Sequence, residues 1–499
     1  MLKHNFLYKV ICLAAVVFAF SSCKKWTDLK PADGIIREDY WKTKEQIHAS
    51  VIGCYASLLG DPAGSDKPLA ELLFLWGELR ADMLAPSLGT TNEEFEVMNV
   101  NTVPSNTIVD WSPVYRTINF CNTVLDFAPG VINIDKTLTP EILDSYLAEA
   151  KALRALMYFY LVRSFGDVPL KLKSTSSDAD IVSVPKSPKE DVLKQILKDL
   201  SEAEADAPLS FGNQAADKGR ITRYTVNTIQ ADVYLWMENY EEAVKACDKV
   251  INSRHFGLTG ASAAWFTNVY RNGNSNESIF EFQFSPQKLN SFYNMFAVGS
   301  RRFIAANRVM DIVFTSDLAN ELTDLRADGA SVRAEDGLIW KYVGKNTLDL
   351  MATGESYTHW FVYRYSDVLL MKAEALAQLD RGDEALQWVY AVRDRAHALA
   401  GTDNNPDPGS KREVTLFILE ERAREFMFEG KRWYDVLRYV KRNNYENIDY
   451  LQELVANMVP ANSVRIAQAK MLDHNSHYFP IYEYEIQTNK NLIQNPFYK

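Results

Sequence analysis

Apolar residues recur at three- and four-residue spacing along most of this chain, the period of helices that bury one face. The segment from Thr43 to Leu59 reads as a helix with Thr43 as its N-cap. A second helix is expected over Glu71–Leu84, and a third through Trp111, Tyr115, Ile118, Asn119, Asn122 and Leu125. Ser145–Phe165 reads as a long helix stopped by Gly166, with Pro169 beyond. Pro188–Ala205 reads as the next, with Ser187 ahead of a proline at the first helical position. Between residues 254 and 365 the period changes. Short aromatic and β-branched runs (ESIFEFQFS at 277–285, GLIWKYVG at 337–344, HWFVYRYS at 359–366) alternate with Gly, Asn and Ser, which predicts loops with a few short strands. Asp61–Lys67, Ala85–Asp110 and residues 401–411 are expected to be irregular.

Two helical stretches repeat each other. ADVYLWMENYEEA (231–243) and AEALAQLDRGDEA (373–385) align without a gap at an offset of 142. Small residues at Ala231, Ala243, Ala373 and Ala385 let helices approach closely, and the middle of each stretch marks a turn. The pattern resembles the tetratricopeptide helix–turn–helix, in which such pairs stack side by side. The expected fold is therefore mainly α: a scaffold of helix pairs with long loop-rich insertions and a few short β-strands.

The N-terminus changes the picture of where this scaffold works. Lys3 and Lys9 precede an unbroken apolar run from Val10 to Phe20, followed by Ser21, Ser22 and Cys23. This is the layout of a secretory signal, and the run is too short for a permanent membrane span. Phe-Ser-Ser-Cys resembles the bacterial lipobox, which makes Cys23 the lipid-bearing first residue of the mature chain. The expected organisation is a signal peptide over 1–22, a leash over 23–40 and one unit over 41–499. That unit divides into a helical part (41–253), a loop-rich insertion (254–365) and a second helical part (366–499). Cys54, Cys121 and Cys247 remain; three thiols cannot all pair, and none has metal-ligand spacing. The net charge of -11 and the lack of a basic tract exclude nucleic acid as a partner.

ERAREFMFEGKRWYDVLRY, from Glu421 to Tyr439, concentrates charge. Glu421, Glu425 and Glu429 fall four residues apart and could serve as a glycosidase pair. The apolar positions argue otherwise. Leu419, Ala423, Phe426, Gly430, Trp433, Leu437 and Val440 keep a 4-3 spacing, so one unbroken helix would bury them. Arg422 precedes Glu425 by three, Glu429 precedes Arg432 by three, and Asp435 precedes Arg438 by three. Paired carboxylates keep low pKa values, the reverse of what a catalytic acid needs. The stretch reads as architecture. The histidines are scattered; His474 and His477 read as solvated loop residues, and no metal or cofactor motif is expected.

Several stretches together resemble the SusD/RagB lipoproteins. The match runs through EAKALRALMYFYLVRSFGDVPL (149–170), YRYSDVLLMKAEAL (363–376), the charged stretch above and PIYEYEIQTNKNLIQNPFY (480–498), with the lipobox at the start. The resemblance implies a non-catalytic, lipid-anchored protein of the cell outer membrane, facing outward. It would bind an oligosaccharide or polysaccharide, or a peptide, and cover a SusC-like TonB-dependent transporter. KKWTDLKP after Cys23 lacks the acidic cluster that is one surface-export signal in such bacteria. The family's ligand contacts lie outside its shared motifs, so candidates come from the residues. Flat rings stack on the C–H faces of sugars while a few polar groups hold hydroxyls. Aromatic rings in irregular segments fit that role: Phe95, Trp265, Tyr270, Tyr293, Phe296 and Trp340, with Asn101 and, at the close of a helix, Arg80 and Asp82 as polar partners. Trp76, Trp111 and Trp433 sit at helical spacing and read as core. A surface glycoside hydrolase and a helical-repeat adaptor or peptide binder are the alternatives.

Overall fold

The computed structural model describes residues 40–60, 68–176, 180, 182–297, 299–309, 313–314, 324–398 and 405–499. Cys23, the leash up to residue 39 and the Asp61–Lys67 segment lie outside these residues. The helices run in chain order as α1 (Lys44–Leu58), α2 (Leu69–Glu78), α3 (Asn92–Met98), α4 (Ser112–Val131), α5 (Pro140–Phe165), α6 (Lys189–Asp206), α7 (Gln214–Gly219), α8 (Arg223–Trp236) and α9 (Tyr240–Ile251). After the insertion, which holds the short α10 (Phe292–Phe296), come α11 (Tyr365–Gln378), α12 (Gly382–Arg395), α13 (Lys411–Glu425), α14 (Arg432–Tyr445), α15 (Ile448–Met458), α16 (Val464–Met471) and α17 (Glu483–Thr488). Among the described residues no helix is long and apolar enough to cross a membrane.

Helix starts follow their side chains. Thr43 caps α1 in a capping box with Gln46, as expected. The long helix begins at Pro140, a turn earlier than its apolar stripe suggests, because Thr139 caps it and Pro140 occupies the first position. Pro188 is itself the N-cap of α6 rather than its first helical residue. α2 stops at Glu78; Leu84, expected at its end, opens a strand. Within the supposedly irregular 85–110 segment, Thr91 and Glu94 form a capping box and start α3.

The two repeats match position by position. Each places a helix end at its sixth residue (Trp236, Gln378) and a new helix at its tenth (Tyr240, Gly382). Glu238 and Asp380, 142 positions apart, both take left-handed backbone at φ 61° and 60°. Equivalent amides then close each turn: Asn239 N–H donates to the Tyr234 carbonyl at 2.9 Å, and Arg381 N–H to the Leu376 carbonyl at 3.0 Å. Neighbouring helices pack in a chain from α4 through α5 and α6 to α8, α9, α11, α12 and α13. One connected apolar core runs from Ile47 to Leu492.

Among the described residues the insertion supplies five of the six strands of three antiparallel two-stranded ribbons. β1 (Leu84–Pro86) pairs with β3 (Phe303–Ala305), β2 (Ser278–Phe282) with β6 (Trp360–Arg364), and β4 (Val332–Arg333) with β5 (Leu338–Ile339). The β1–β3 pairing joins the segment after α2 to the insertion, more than two hundred residues later, with Leu84 opposite Ala305.

The charged stretch is not one helix. α13 ends at Glu425 and α14 begins at Arg432. Between them Phe428 and Gly430 adopt φ 63° and 69°. Helix α2 crosses directly against this break: a Cβ on Gly77 would lie 1.9 Å from the Gly430 carbonyl oxygen. The freed backbone groups find partners elsewhere. Lys341 Nζ donates to the Met427 carbonyl at 2.8 Å, Tyr342 Oη to Phe428 at 3.0 Å, and the Gly430 amide to Glu78 Oε1 at 2.8 Å. Tertiary hydrogen bonds thus replace the helical ones that the 4-3 stripe alone predicts.

The carboxylates of this stretch are buried. Glu421 and Glu425 are 0% exposed and Glu429 2%. Of the expected local pairs only Asp435–Arg438 forms, at 2.9 Å. Glu425 instead meets Arg364, Arg395 and Arg326 at 2.8, 2.6 and 3.0 Å. Glu429 meets Arg364 and Lys341 at 2.8 and 2.9 Å, and Glu421 meets Arg326 and Arg393 at 2.6 and 2.8 Å. Burial by itself would raise Glu425, but Arg395, Arg364 and Arg326 hold it well below the usual carboxylate range. Arg364 and Lys341 likewise hold Glu429 below the usual range, so Glu425 and Glu429 stay ionised, and the cluster locks the insertion onto the helices.

Candidate functional site

A cleft of ≈ 1310 Å³ opens between the β1–β3 ribbon and helices α13 and α15. One wall is Leu84, Ala85 and Pro86 with Ala306, Asn307 and Arg308; the other is Leu416, Phe417 and Glu420 from α13 with Tyr450, Glu453, Leu454 and Asn457 from α15. The ribbon can form a wall because β1 and β3 are held in register and the Ala306 amide donates to the Met83 carbonyl at 2.9 Å. Phe417 and Tyr450 are half-buried, each resting edge-on against a second ring: Tyr390 at 6.2 Å and Tyr439 at 5.4 Å. Such backing fixes a ring while leaving a face for a ligand.

A linked set of polar groups forms the floor. Arg432 is forked onto Asp82 at 2.9 and 3.1 Å and donates to Tyr450 Oη at 2.9 Å. Tyr450 Oη donates to Glu420 at 2.8 Å, and Arg308 spans from Asp82 towards Glu420, 4.0 Å away. Burial pushes Tyr450 up to about 12, so its hydroxyl keeps its proton. Burial favours a neutral Glu420, yet Arg432, the Tyr450 hydrogen bond and Arg308 hold it below the usual range. The cleft thus offers fixed acceptors, fixed donors and apolar ring faces. That combination suits a neutral, hydroxyl-rich ligand. An ionised Glu420 has no proton to give and is unsuited to general acid catalysis.

Comparison with known proteins gives this arrangement a family. Residues 333–498 match the SusD family model, and residues 79–239 match a SusD-like model described as "Starch-binding associating with outer membrane". Between them these matches cover most of the helical part before the insertion, the end of the insertion and the helical part after it. SusD-like protein P38 of Formosa agariphila is 27% identical over 467 residues, covering 84% of this chain and 88% of that one. A SusD-like protein of Bacteroides ovatus is 23% identical over 493 residues, covering 88% and 84%. The chain belongs to the SusD/RagB family. Solved structures agree on the fold. A SusD superfamily protein from Bacteroides thetaiotaomicron superposes with a TM-score of 0.72 at 22% identity, covering 92% of this chain and 99% of that one. B. fragilis NanU superposes with a TM-score of 0.69 at 23% identity, covering 94% and 100%.

Within this family member, most residues expected to grip a sugar have other work. Trp265 and Tyr270 are 2% and 0% exposed. Trp265 lies 5.2 Å from the Arg395 guanidinium and Tyr270 4.9 Å from Lys341 Nζ, so their π faces cover the cations of the buried cluster. Phe296 is buried against Phe74 and Phe292 at 5.3 and 6.0 Å. Trp340 is buried and donates Nε1–H to the Asn346 carbonyl at 2.8 Å. Arg80 is not at a helix end. It lies in the turn after α2, between Trp433 and Phe479 at 4.5 and 3.7 Å, and donates to the His477 carbonyl at 2.7 Å. Asp82 belongs to the cleft floor, 3% exposed and saturated by Arg432 and Arg308. The aromatic runs of an insertion read as loops from sequence, but here they roof a core. His477, expected in solvent, is likewise buried, with Nε2 against the Met471 carbonyl at 2.9 Å.

Three candidates remain at the surface. Phe95 is 39% exposed on α3, Tyr293 is half-buried on α10, and Asn101 is exposed and accepts from Lys470 Nζ. Arg302 joins the first two regions: it donates to Glu94, next to Phe95, at 2.6 Å and to Glu71 at 2.6 Å, while the Gly89 amide donates to the Arg301 carbonyl at 3.0 Å. Gly89 is required there, since a Cβ would sit 1.8 Å from the Ser300 carbonyl oxygen. Apart from Asp82, the cleft residues carry no clear mark in the sequence, because Phe417 and Tyr450 lie on helices, where a ring reads as core. The available signal was position: Phe417 stands beside the Val414–Ile418 face rather than on it.

Proposed function

We propose that this protein is a non-catalytic, lipid-anchored glycan-binding protein of the outer membrane, which takes an oligosaccharide into the cleft beside α13 and α15 and delivers it to a SusC-like TonB-dependent transporter. The observation that carries the reading is the cleft itself: Phe417 and Tyr450 offer ring faces beside the held groups Arg308 and Glu420 and the exposed polar side chains Glu453 and Asn457. The family model's description as starch-binding and outer-membrane associated supports the ligand class and the location. Cys23 is the proposed point of lipid attachment. Phe95, Asn101 and Tyr293 are proposed as a secondary contact region, reached along the ribbon from Pro86 through the exposed Leu88.

The test is affinity electrophoresis of the purified mature protein through gels containing different polysaccharides, with reducing ends assayed in parallel. Retardation in at least one gel without new reducing ends is expected. Sustained release of reducing ends overturns the non-catalytic reading, and retention by peptides alone overturns the glycan. For the anchor, Cys23→Ala is expected to release the protein from the membrane fraction; continued association contradicts it.

A further inference from the structure

Two cysteines face one another across a helix pair. α1 and α4 pack antiparallel, and contacts along them fix the register. Trp41, just before α1, stacks on Phe127 with ring centroids 5.8 Å apart, and the Lys44 amide donates to Asp135 Oδ2 at 2.9 Å. At the other end the Ser57 and Thr117 hydroxyls hydrogen-bond at 2.8 Å. Cys54 precedes Ser57 by three residues and Cys121 follows Thr117 by four, so both lie one turn along from that rung, on facing sides. Both are 0% exposed; the Cys54 thiol donates to the Ser50 carbonyl at 3.4 Å, with the Cys121 thiol as its neighbour across the helix pair. The Cys121 thiol and burial push the Cys54 thiol well above its ordinary value. Cys247 is buried on α9, outside this pair of helices.

We propose that Cys54 and Cys121 are a disulfide-forming pair that ties α1 to α4. A disulfide needs Cα atoms about 4.4–6.8 Å apart, and the small hydroxyl rung one turn away lets the two backbones approach. The buried thiol is a poor nucleophile, so the bond forms while the chain folds and Cys54 still ionises normally. The Cys54 thiolate attacks an external disulfide, which gives a mixed disulfide and one released thiolate. The Cys121 thiolate then displaces the second. Two protons leave the cysteines, and two electrons reduce the acceptor disulfide to two thiols. In the cell the acceptor would be an exchangeable protein disulfide outside the inner membrane, so the bond in vivo rests on the export proposed above. The pairing itself does not.

The purified mature chain, reduced and unfolded, is refolded in a mixture of oxidised and reduced glutathione, quenched with iodoacetamide and digested without reduction. Peptide mass spectrometry is expected to show Cys54 joined to Cys121, two hydrogens lighter than the separate peptides, with Cys247 alkylated. Cys247→Ala is expected to give the same bond and Cys54→Ser to abolish it. Refolded wild type with Cys54 and Cys121 both alkylated, or each carrying glutathione, overturns the pairing. In cells, thiol trapping before lysis separates the two readings. Membrane-bound protein with both thiols alkylated overturns the bond in vivo. Recovery in the cytosol counts against export and leaves refolding to decide the pair.

Discussion

The buried cluster around Glu425 and the cleft around Glu420 are made from the same residue types on the same helix, yet they differ in what surrounds each charge. Glu425 is 0% exposed and meets three guanidinium groups, with Tyr270 and Trp265 laid over neighbouring cations. Glu420 is part-exposed and keeps one close hydrogen bond, from Tyr450. A carboxylate whose lone pairs are all used cannot recognise a ligand; one with spare acceptor capacity beside a ring can. The number of partners, rather than the presence of charge, separates the part that holds the molecule together from the part that can bind.

The strongest way to break this contrast is to cut one partner out of the cluster. Glu425→Ala leaves Arg326, Arg364 and Arg395 facing each other without their shared anion, and removing one member of a buried ion pair costs about 3–5 kcal/mol. Urea unfolding should show that loss, while glycan retention of the folded fraction stays at wild type. A wild-type midpoint would mean that the cluster is not structural.

Glu78 offers a second, pH-dependent break. It is completely buried beside the α13–α14 turn, and burial raises it to about 8, against hydrogen bonds from Gly430 and Lys431 that work the other way. The folded chain therefore keeps a proton that the unfolded chain gives up above about 4.5. Between those values the unfolded state binds fewer protons, so stability falls as pH rises, by up to about 1.4 kcal/mol per unit. Glu78→Gln should flatten the dependence of the unfolding midpoint over that window. An unchanged slope would assign the proton elsewhere.

Within the cleft, Phe417→Ala should weaken glycan retention by about 1–3 kcal/mol, the range known for ring stacking on nucleic acid bases, with a smaller effect on unfolding than Glu425→Ala. Equal retention by wild type and variant would move the ligand off this wall. The smallest effect is expected for Phe95→Ala, about 0.5–1 kcal/mol in retention. A larger loss there than at Phe417 would invert the ranking of the two surfaces.

Much of this molecule was legible as a string of residues. The helical period, the caps at Thr43 and Gly166, the strands at 278–282 and 360–364 and the 142-residue repeat all depend on neighbours within a turn or two, and local spacing encodes them. Family membership was legible for a related reason: packing at helix crossings demands particular residues in order. What local spacing could not carry was the partner of a charge or the cover over a ring. Glu425 and Arg422 are well spaced for a helical pair, yet Glu425 chose Arg326, Arg364 and Arg395, and Arg422 chose Asp367. The stripe from Leu419 to Val440 broke because α2 crosses against Gly430 and supplies Glu78 to its amide. The sequence by itself determined the class of fold, the family and the short-range elements. Only the tertiary structure decided which aromatics roof a charged core and which face a cleft, because burial is set by segments hundreds of residues apart that no local period records.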